Sequence, residues 1–294
     1  MNQSGVFYAL AAYVSWGFFP LFWKLLYSVP PLEVLAHRIV WSFLFLAVLT
    51  FIAGHKKSLV SNIKNKKSIL IYSLSAVLIS TNWYIYIVAV NSGHVLEGSL
   101  GYFINPLINV ALGAVFLKEK LRKMQWASVA LAAAGVLYLT FHSGKIPWFA
   151  LSLACTFGTY GLVRKLAPAP SLVGSTIEAG LVLPFAFLFL CYTTYVSPQS
   201  PIFSSPNILL LLIIGGAITA LPLVWFSEAA KRMLLSILGF FQYIAPSLQF
   251  LCAVLIFNEP FLFEQKLTFT VIWAALAIFA ADAYNTFCRQ APMT

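Results

Sequence analysis

Charge is scarce in this chain. Of its 294 residues only 9% are Asp, Glu, Lys or Arg, and only 8 are acidic, whereas soluble domains carry roughly 25% charged residues. Hydrophobic types make up 61%, more apolar surface than a soluble fold can hide. Cysteine is as thin: Cys155, Cys191, Cys252 and Cys288 fall in apolar stretches, with no CxxC and no paired spacing. That excludes a disulfide framework or thiolate metal site and reads all four as small buried hydrophobes. The chain has no GxxxxGK[ST] loop, no HExxH, no GxSxG and no paired aspartates in an apolar stretch. ATP hydrolysis, zinc proteolysis and serine hydrolysis lose their residues, and neither a metal nor a cofactor is expected. A basic n-region is missing before Gly5–Tyr27, and that stretch is too long for a signal-peptide core, so the first helix is expected to act as its own insertion signal.

What is present is long apolar runs. Ten can be drawn: Gly5–Tyr27, Glu33–Ala53, Ile69–Asn91, Val95–Leu117, Met124–Phe141, Pro147–Leu166, Leu172–Val196, Asn207–Ala230, Leu234–Phe257 and Lys266–Thr286. Each is close to the ~20 residues a helix needs to cross a hydrocarbon core. Pro, Gly or charge punctuates most junctions. The expected fold is an all-α polytopic membrane protein of ten transmembrane helices.

The few cations are sorted. Of the 18 basic residues, all but Lys24, Arg38, Lys145 and Lys266 fall in the odd-numbered polar pieces between runs. Lys56, Lys57, Lys64, Lys66 and Lys67 form one group; Lys118, Lys120, Arg122 and Lys123 another; Arg164 with Lys165, Lys231 with Arg232, and Arg289 complete the set. The positive-inside rule places these pieces, and both termini, in the cytoplasm. The net charge of +10 sits in short loops, not in a stripe with spaced aromatics. It fits an anionic leaflet and argues against nucleic acid.

The halves repeat. Phe7-Tyr8-Ala9-Leu10, Trp16-Gly17, Leu21 and Lys24-Leu25 align with Trp148-Phe149-Ala150-Leu151, Phe157-Gly158, Leu162 and Lys165-Leu166, a shift of 141. Later the shift is 140: Pro106 meets Pro246, Glu119 meets Glu259, and Gln125 meets Gln265. A repeat of five helices is odd, so residues 143–294 would enter the membrane from the side opposite to residues 1–142. Inverted repeats are a recurring construction of secondary transporters, with the solute near the midplane.

These residues resemble a known family. Ten helices, a duplicated five-helix unit and a Glu after the fourth helix of each copy are similar to the EamA-type drug/metabolite transporter superfamily. Glu33-Val34-Leu35-Ala36-His37-Arg38-Ile39-Val40-Trp41-Ser42, the stretch Asn91 to Leu107 with His94, Glu97, Tyr102, Asn105 and Pro106, and Leu117-Lys118-Glu119-Lys120-Leu121 resemble its RarD-like branch, named for a link to chloramphenicol sensitivity. The second copy departs with Asn258-Glu259-Pro260. The resemblance implies an inner-membrane permease of small metabolites or drugs. A channel or sensor is the alternative, although no ring of like charges suggests a selectivity filter.

An ionisable group within an apolar run costs at least ~2.5–3.5 kcal/mol on insertion scales and so marks a functional candidate. Here these are His37, Arg38, Glu97, Glu178, Glu228 and Asp282. Arg38 and Glu178 lie in opposite halves of the membrane, about 12 Å apart in depth at 1.5 Å per residue. One polar station per half is expected, Arg38 with Glu97 and Glu178 with Lys231 or Arg232. His37 is a candidate for proton coupling. Asp282 and Glu228 are expected to be exposed near the cytoplasmic surface, His94 and His142 interfacial, and Glu119 and Glu259 caps or loop pins. Pro106 and Pro246 should kink helices 4 and 9, freeing carbonyls for a polar ligand. Asn105, Gln242, Tyr243, Gln249, Asn82, Trp83, Tyr84, Tyr86 and Tyr102 would line a cavity for a flat or amphipathic small molecule. Ala-rich faces of helices 5 and 10 suit bracing of the core or a homodimer contact.

Overall fold

The computed structural model describes residues 3–92, 95–142, 147–196, 205–256 and 263–290. Among them the chain is helix and connecting turn, with no strand. In chain order the helices are α1 (Gln3–Trp23, continued by a 3-10 turn Lys24–Leu26), α2 (Pro31–Ile52), α3 (Lys56–Lys64), α4 (Lys66–Asn91), α5 (Val95–Phe116), α6 (Lys123–His142), α7 (Trp148–Leu166), α8 (Ser171–Val196), α9 (Pro206–Arg232), α10 (Leu235–Gln242), α11 (Ile244–Leu255) and α12 (Phe263–Gln290). Six segments are long and apolar enough to cross a membrane: Gln3–Leu26, Pro31–Ile52, Lys66–Ala89, Ser171–Val196, Pro206–Arg232 and Leu235–Cys252. α5, α6, α7 and α12 add rods of 22, 20, 19 and 28 residues. Even the shortest spans about 28 Å at 1.5 Å per residue.

Two elements differ from the expectation. α3 is a short amphipathic helix within what reads as a basic loop. Its lysines face outward while Leu59 packs beside Tyr72, Ala167 and Val173, which fits a helix lying at a bilayer surface. The ninth run is broken into α10 and α11 at Tyr243. The cause is Pro246: lacking an N–H, it cannot bond the carbonyl of Gln242. Pro106 by contrast stays inside the single helix α5.

The surface is apolar where a soluble protein's would not be. Phe185 is 74% exposed and Val115 70%, and neighbours of the same kind ring the bundle. Cys155 and Cys191 are on this surface as well, and only Cys252 of the described cysteines is buried. Their small size suits lipid contact as readily as a core.

Helix pairing follows an exchange rule. α5 packs on α7, and α11 on α1; α4 packs on α7, and α9 on α1; α2 packs on α9, and α8 on α4. The pairs α2 with α8, α6 with α12, and α5 with α10 map onto themselves. Swapping the halves therefore returns the same principal contacts. The rule holds at the level of atoms. A Cβ on Gly17 would sit 2.5 Å from Leu248 Cβ, and one on Gly158 would sit 2.6 Å from Ile108 Cγ2. Gly17 aligns with Gly158, and Ile108 with Leu248, so the same close crossing is built twice. The small faces of α6 and α12 meet each other, with Ala132 and Ala275 fully buried and Gly135 against Val271. Ala132, Gly135 and Ala275 thus brace the chain internally, while Ala127, Ala130, Ala134, Ala274, Ala277, Ala280 and Ala281 on the same helices are exposed.

The basic pieces gather at one end of the bundle. Arg232 donates to Ser4 Oγ at the start of α1 (3.1 Å), Arg122 pairs with Asp282 at 2.6 Å, and Lys165 donates to the carbonyls of Ala230 and Met233.

The tightest crossing lies between α2 and α9, where a Cβ on Gly216 would fall 2.4 Å from Trp41 Cβ and 2.7 Å from the Ser42 backbone nitrogen. Gly216→Val is expected to lower the thermal midpoint of detergent-purified protein, with an overpacking cost of at least about 1–3 kcal/mol. Gly180→Ala, which meets only the edge of the Phe43 ring at 3.1 Å, should cost less. Equal midpoints for wild type and Gly216→Val would refute the crossing.

Candidate functional site

A cavity of about 310 Å³ lies in the bundle, and Trp23, Arg38, Tyr86 and Tyr102 place part of its lining near the helix ends remote from the basic pieces. α1, α2, α4, α5, α7, α9, α10 and α11 all contribute to its wall, so both halves of the chain line it. Arg38 on α2 is its one described cation. The guanidinium lies 4.4 Å from the Trp23 ring centroid and 5.3 Å from that of Trp83, and its Nε donates to Thr219 Oγ1 at 3.0 Å. Tyr86 and Tyr102 stand together on another wall, rings 6.1 Å apart.

Helix breaks supply the polar contacts. Pro20 lies inside α1 and leaves the carbonyl of Trp16 without its helical donor. Gln249 Nε2 fills that place at 3.0 Å, tying α11 to α1. Asn109 Nδ2 donates to Gln242 Oε1 at 3.0 Å, and Asn82 Nδ2 donates to Leu153 O and Thr156 Oγ1, both at 2.9 Å. Two buried atoms at the cavity have no partner among the described residues: Tyr13 Oη and Asn105 Oδ1. An unpaired buried polar atom costs about 1–3 kcal/mol, which a polar solute would relieve.

Beneath the cavity the bundle closes. Trp16, Phe157, Phe226 and Tyr160 form an aromatic plug, with Trp16 to Phe157 centroids at 5.8 Å, Phe157 to Phe226 at 5.2 Å and Tyr160 stacked on Phe226 at 5.9 Å. Below it lies a buried ion pair. Arg164 is fully buried and its Nη1 meets Glu178 Oε1 at 3.1 Å. Its Nε donates to Ser227 Oγ at 2.7 Å, and Nη2 to Ser171 O at 3.0 Å and Ser175 Oγ at 3.1 Å. Glu178 also accepts from Ser75 and from Tyr160 Oη. Helices α4, α7, α8 and α9 are thereby locked together. Gly174 makes room, since a Cβ there would lie 2.5 Å from Arg164 Nη1.

Two further contacts seal the basic end. Glu119 accepts from the backbone nitrogens of Leu235 (2.7 Å) and Ser236 (2.9 Å) and from Ser236 Oγ (2.7 Å), capping α10 as a carboxylate should cap a helix N-terminus. Lys231 donates to the carbonyl of Ala169.

The structure sorts the expected residues. Arg38, Asn82, Trp83, Tyr86, Tyr102, Asn105, Gln242, Pro246 and Gln249 line the cavity. Tyr243 does not: it is buried and donates to Phe103 O at 3.1 Å. His37 lies outside the lining and accepts from Trp41 Nε1 one turn on, at 3.3 Å. The pairing of Glu178 with Lys231 or Arg232 is corrected. Its partner is Arg164, while Arg232 pairs with Glu228 at 2.6 Å. Arg164 was missed because it sits in the last turn of α7 and reads as loop charge. The side chains of Glu97 and His142, and all of His94 and Glu259, lie outside the described residues. Thr219, Trp23 and the aromatic plug were also missed, since apolar runs full of aromatics give no signal of which ring faces inward.

Known proteins agree with this frame. Residues 3–141 match the EamA-like transporter family. An uncharacterized transporter of Bacillus subtilis (strain 168), YojE, is 44% identical over 95% of this chain and 94% of its own. Protein RarD of Escherichia coli (strain K12) is 46% identical over 97% and 96%. A solved crystal structure, 18% identical over 97% of this chain and 99% of that one, superposes with a TM-score of 0.72 and shares the fold. The chain therefore belongs to the EamA-like transporter family, among the RarD proteins and the transporters similar to them.

Proposed function

We propose that the chain is a secondary transporter of small organic solutes, working by alternating access across the bacterial inner membrane. Residues 1–142 and 143–294 are the two inverted copies, and both termini lie in the cytoplasm with the basic pieces. The observation that carries this reading is the asymmetry within a symmetric frame. A cavity lies toward one end, and toward the basic end the bundle is filled by the aromatic plug and the Arg164–Glu178 pair. In exchangeable copies the alternative state needs no new fold. It opens the contacts around Arg164 and closes those around Arg38. On this reading the described conformation faces outward. The partners are a small-molecule solute and membrane lipid. A second copy of the chain would have to dock on a surface other than the α6–α12 seam.

A channel with the same cavity predicts different kinetics. In proteoliposomes, uptake of a solute found by thermal-shift screening should saturate and accelerate when the vesicles are preloaded with that solute. Asn105→Ala should weaken its binding. Linear, unsaturable flux without trans-stimulation would remove the carrier reading.

The lock makes a separate prediction. Arg164→Ala strands a buried carboxylate and should cost about 3–5 kcal/mol, whereas Arg164→Met with Glu178→Leu removes both charges and should recover most of that loss. Thermal denaturation of the purified variants tests this. A double variant no more stable than the single one would show that the pair is not a unit.

A further inference from the structure

Two helical arginines, Arg38 and Arg164, are treated in opposite ways. Arg164 is neutralised by Glu178 and bonded through Nε, Nη1 and Nη2. Arg38 donates one bond, from Nε to a neutral hydroxyl, and no carboxylate faces it among the described residues. The described acids are engaged elsewhere or distant: Glu119 caps α10, Glu178 holds Arg164, Glu228 holds Arg232 and Asp282 holds Arg122. Glu33 precedes Arg38 by five residues on α2, which turns it to a different face.

The aromatic faces of Trp23 and Trp83 return only about 0.5–2 kcal/mol to such a cation, against the ~2.5–3.5 kcal/mol that a charge costs at the bilayer centre. Among the described residues Nε carries the one hydrogen bond shown for Arg38, and Nη1 and Nη2 form the edge that grips a planar oxyanion with two parallel bonds. Arg38 lines the cavity with Tyr86 and Tyr102, and with Asn105 and Tyr13, whose Oδ1 and Oη have no partner among the described residues.

We propose that Arg38 is the anion-binding site of the cavity, and that the solute is a small organic carboxylate whose apolar body rests on the aromatic walls. This rests on the reading of the cavity as the solute site and adds the solute's charge class. Cationic solutes are disfavoured, because no described acid in the cavity would balance them. Neutral ones leave the guanidinium uncompensated. An acidic lipid headgroup has the same chemistry, but a cavity of about 310 Å³ suits a free carboxylate better.

The test uses the full chain in nanodiscs of neutral lipid. Binding of benzoate and phenylacetate is read by tryptophan fluorescence and calorimetry, beside their amides and phenethylamine. The carboxylates should bind at least about tenfold tighter than the amides, as expected for a charge-assisted pair, and the amine should not bind. Arg38→Gln should erase the preference and Thr219→Val should keep it. Adding phosphatidylglycerol should compete weakly. Strong competition would reassign the site to lipid. Amides that match the carboxylates, a preference that survives Arg38→Gln, or no binding by either carboxylate at millimolar concentration would each overturn the proposal. The wild-type comparison decides even if Arg38→Gln fails to fold. Amides that bind as tightly as the carboxylates and lose that binding in Asn105→Ala would sink the anion site and leave the carrier reading intact. Carboxylate binding without flux would do the reverse.

Discussion

A guanidinium inside a bilayer must find a counter-charge, water or a ligand, and the rest of this structure follows from how two of them are accommodated. Arg164 is closed in by a carboxylate, hydroxyls and a carbonyl drawn from α8 and α9. Satisfying so many donors forces the helices together, so the half of the bundle around Arg164 is shut. Arg38 has aromatic rings and a threonine. It makes one described hydrogen bond, and the bundle around it holds the cavity. Open and closed halves are thus written in the bonding of two side chains.

The frame around them is nearly symmetric, but its chemistry is not. Trp23 and Arg164 occupy matching positions, as do His37 and Glu178. In one half α2 brings a cation to an aromatic ring on α1, and in the other α8 brings an anion to a cation on α7. The shared part is steric: Gly17 on Leu248 and Gly158 on Ile108. Small residues at crossings let helices approach in lipid, where no hydrophobic effect drives them together. The matching positions of the two halves therefore share their packing and differ in the polar group they present.

Much of the fold was legible because lipid imposes long runs and sorts charge. The helix boundaries drawn from apolar runs lie within a few residues of those observed. α3 escaped since its lysines dominate a piece whose Leu59 and Ile63 only make sense on a helix. The cavity was partly legible. Arg38, Asn105 and Gln242 stand out as polar residues in apolar surroundings, and Pro246 announces the break at Tyr243. Arg164 did not, because a cation at a helix end is indistinguishable by sequence from a loop cation until packing buries it. Tyr243 misled for the opposite reason: it lies beside the break, yet its hydroxyl is consumed by Phe103 O.

The central claim is that one half is open while the other is shut, and that they exchange. In a background without the native cysteines, Tyr102→Cys lies in the cavity and Ser227→Cys beside Arg164. An impermeant thiol reagent added outside should modify Tyr102→Cys and spare Ser227→Cys. Added on the cytoplasmic side, it should modify Ser227→Cys slowly, and faster once a transported solute drives turnover. Comparable modification of both positions from either side would mean a continuous pore, and would contradict alternating access in this protein.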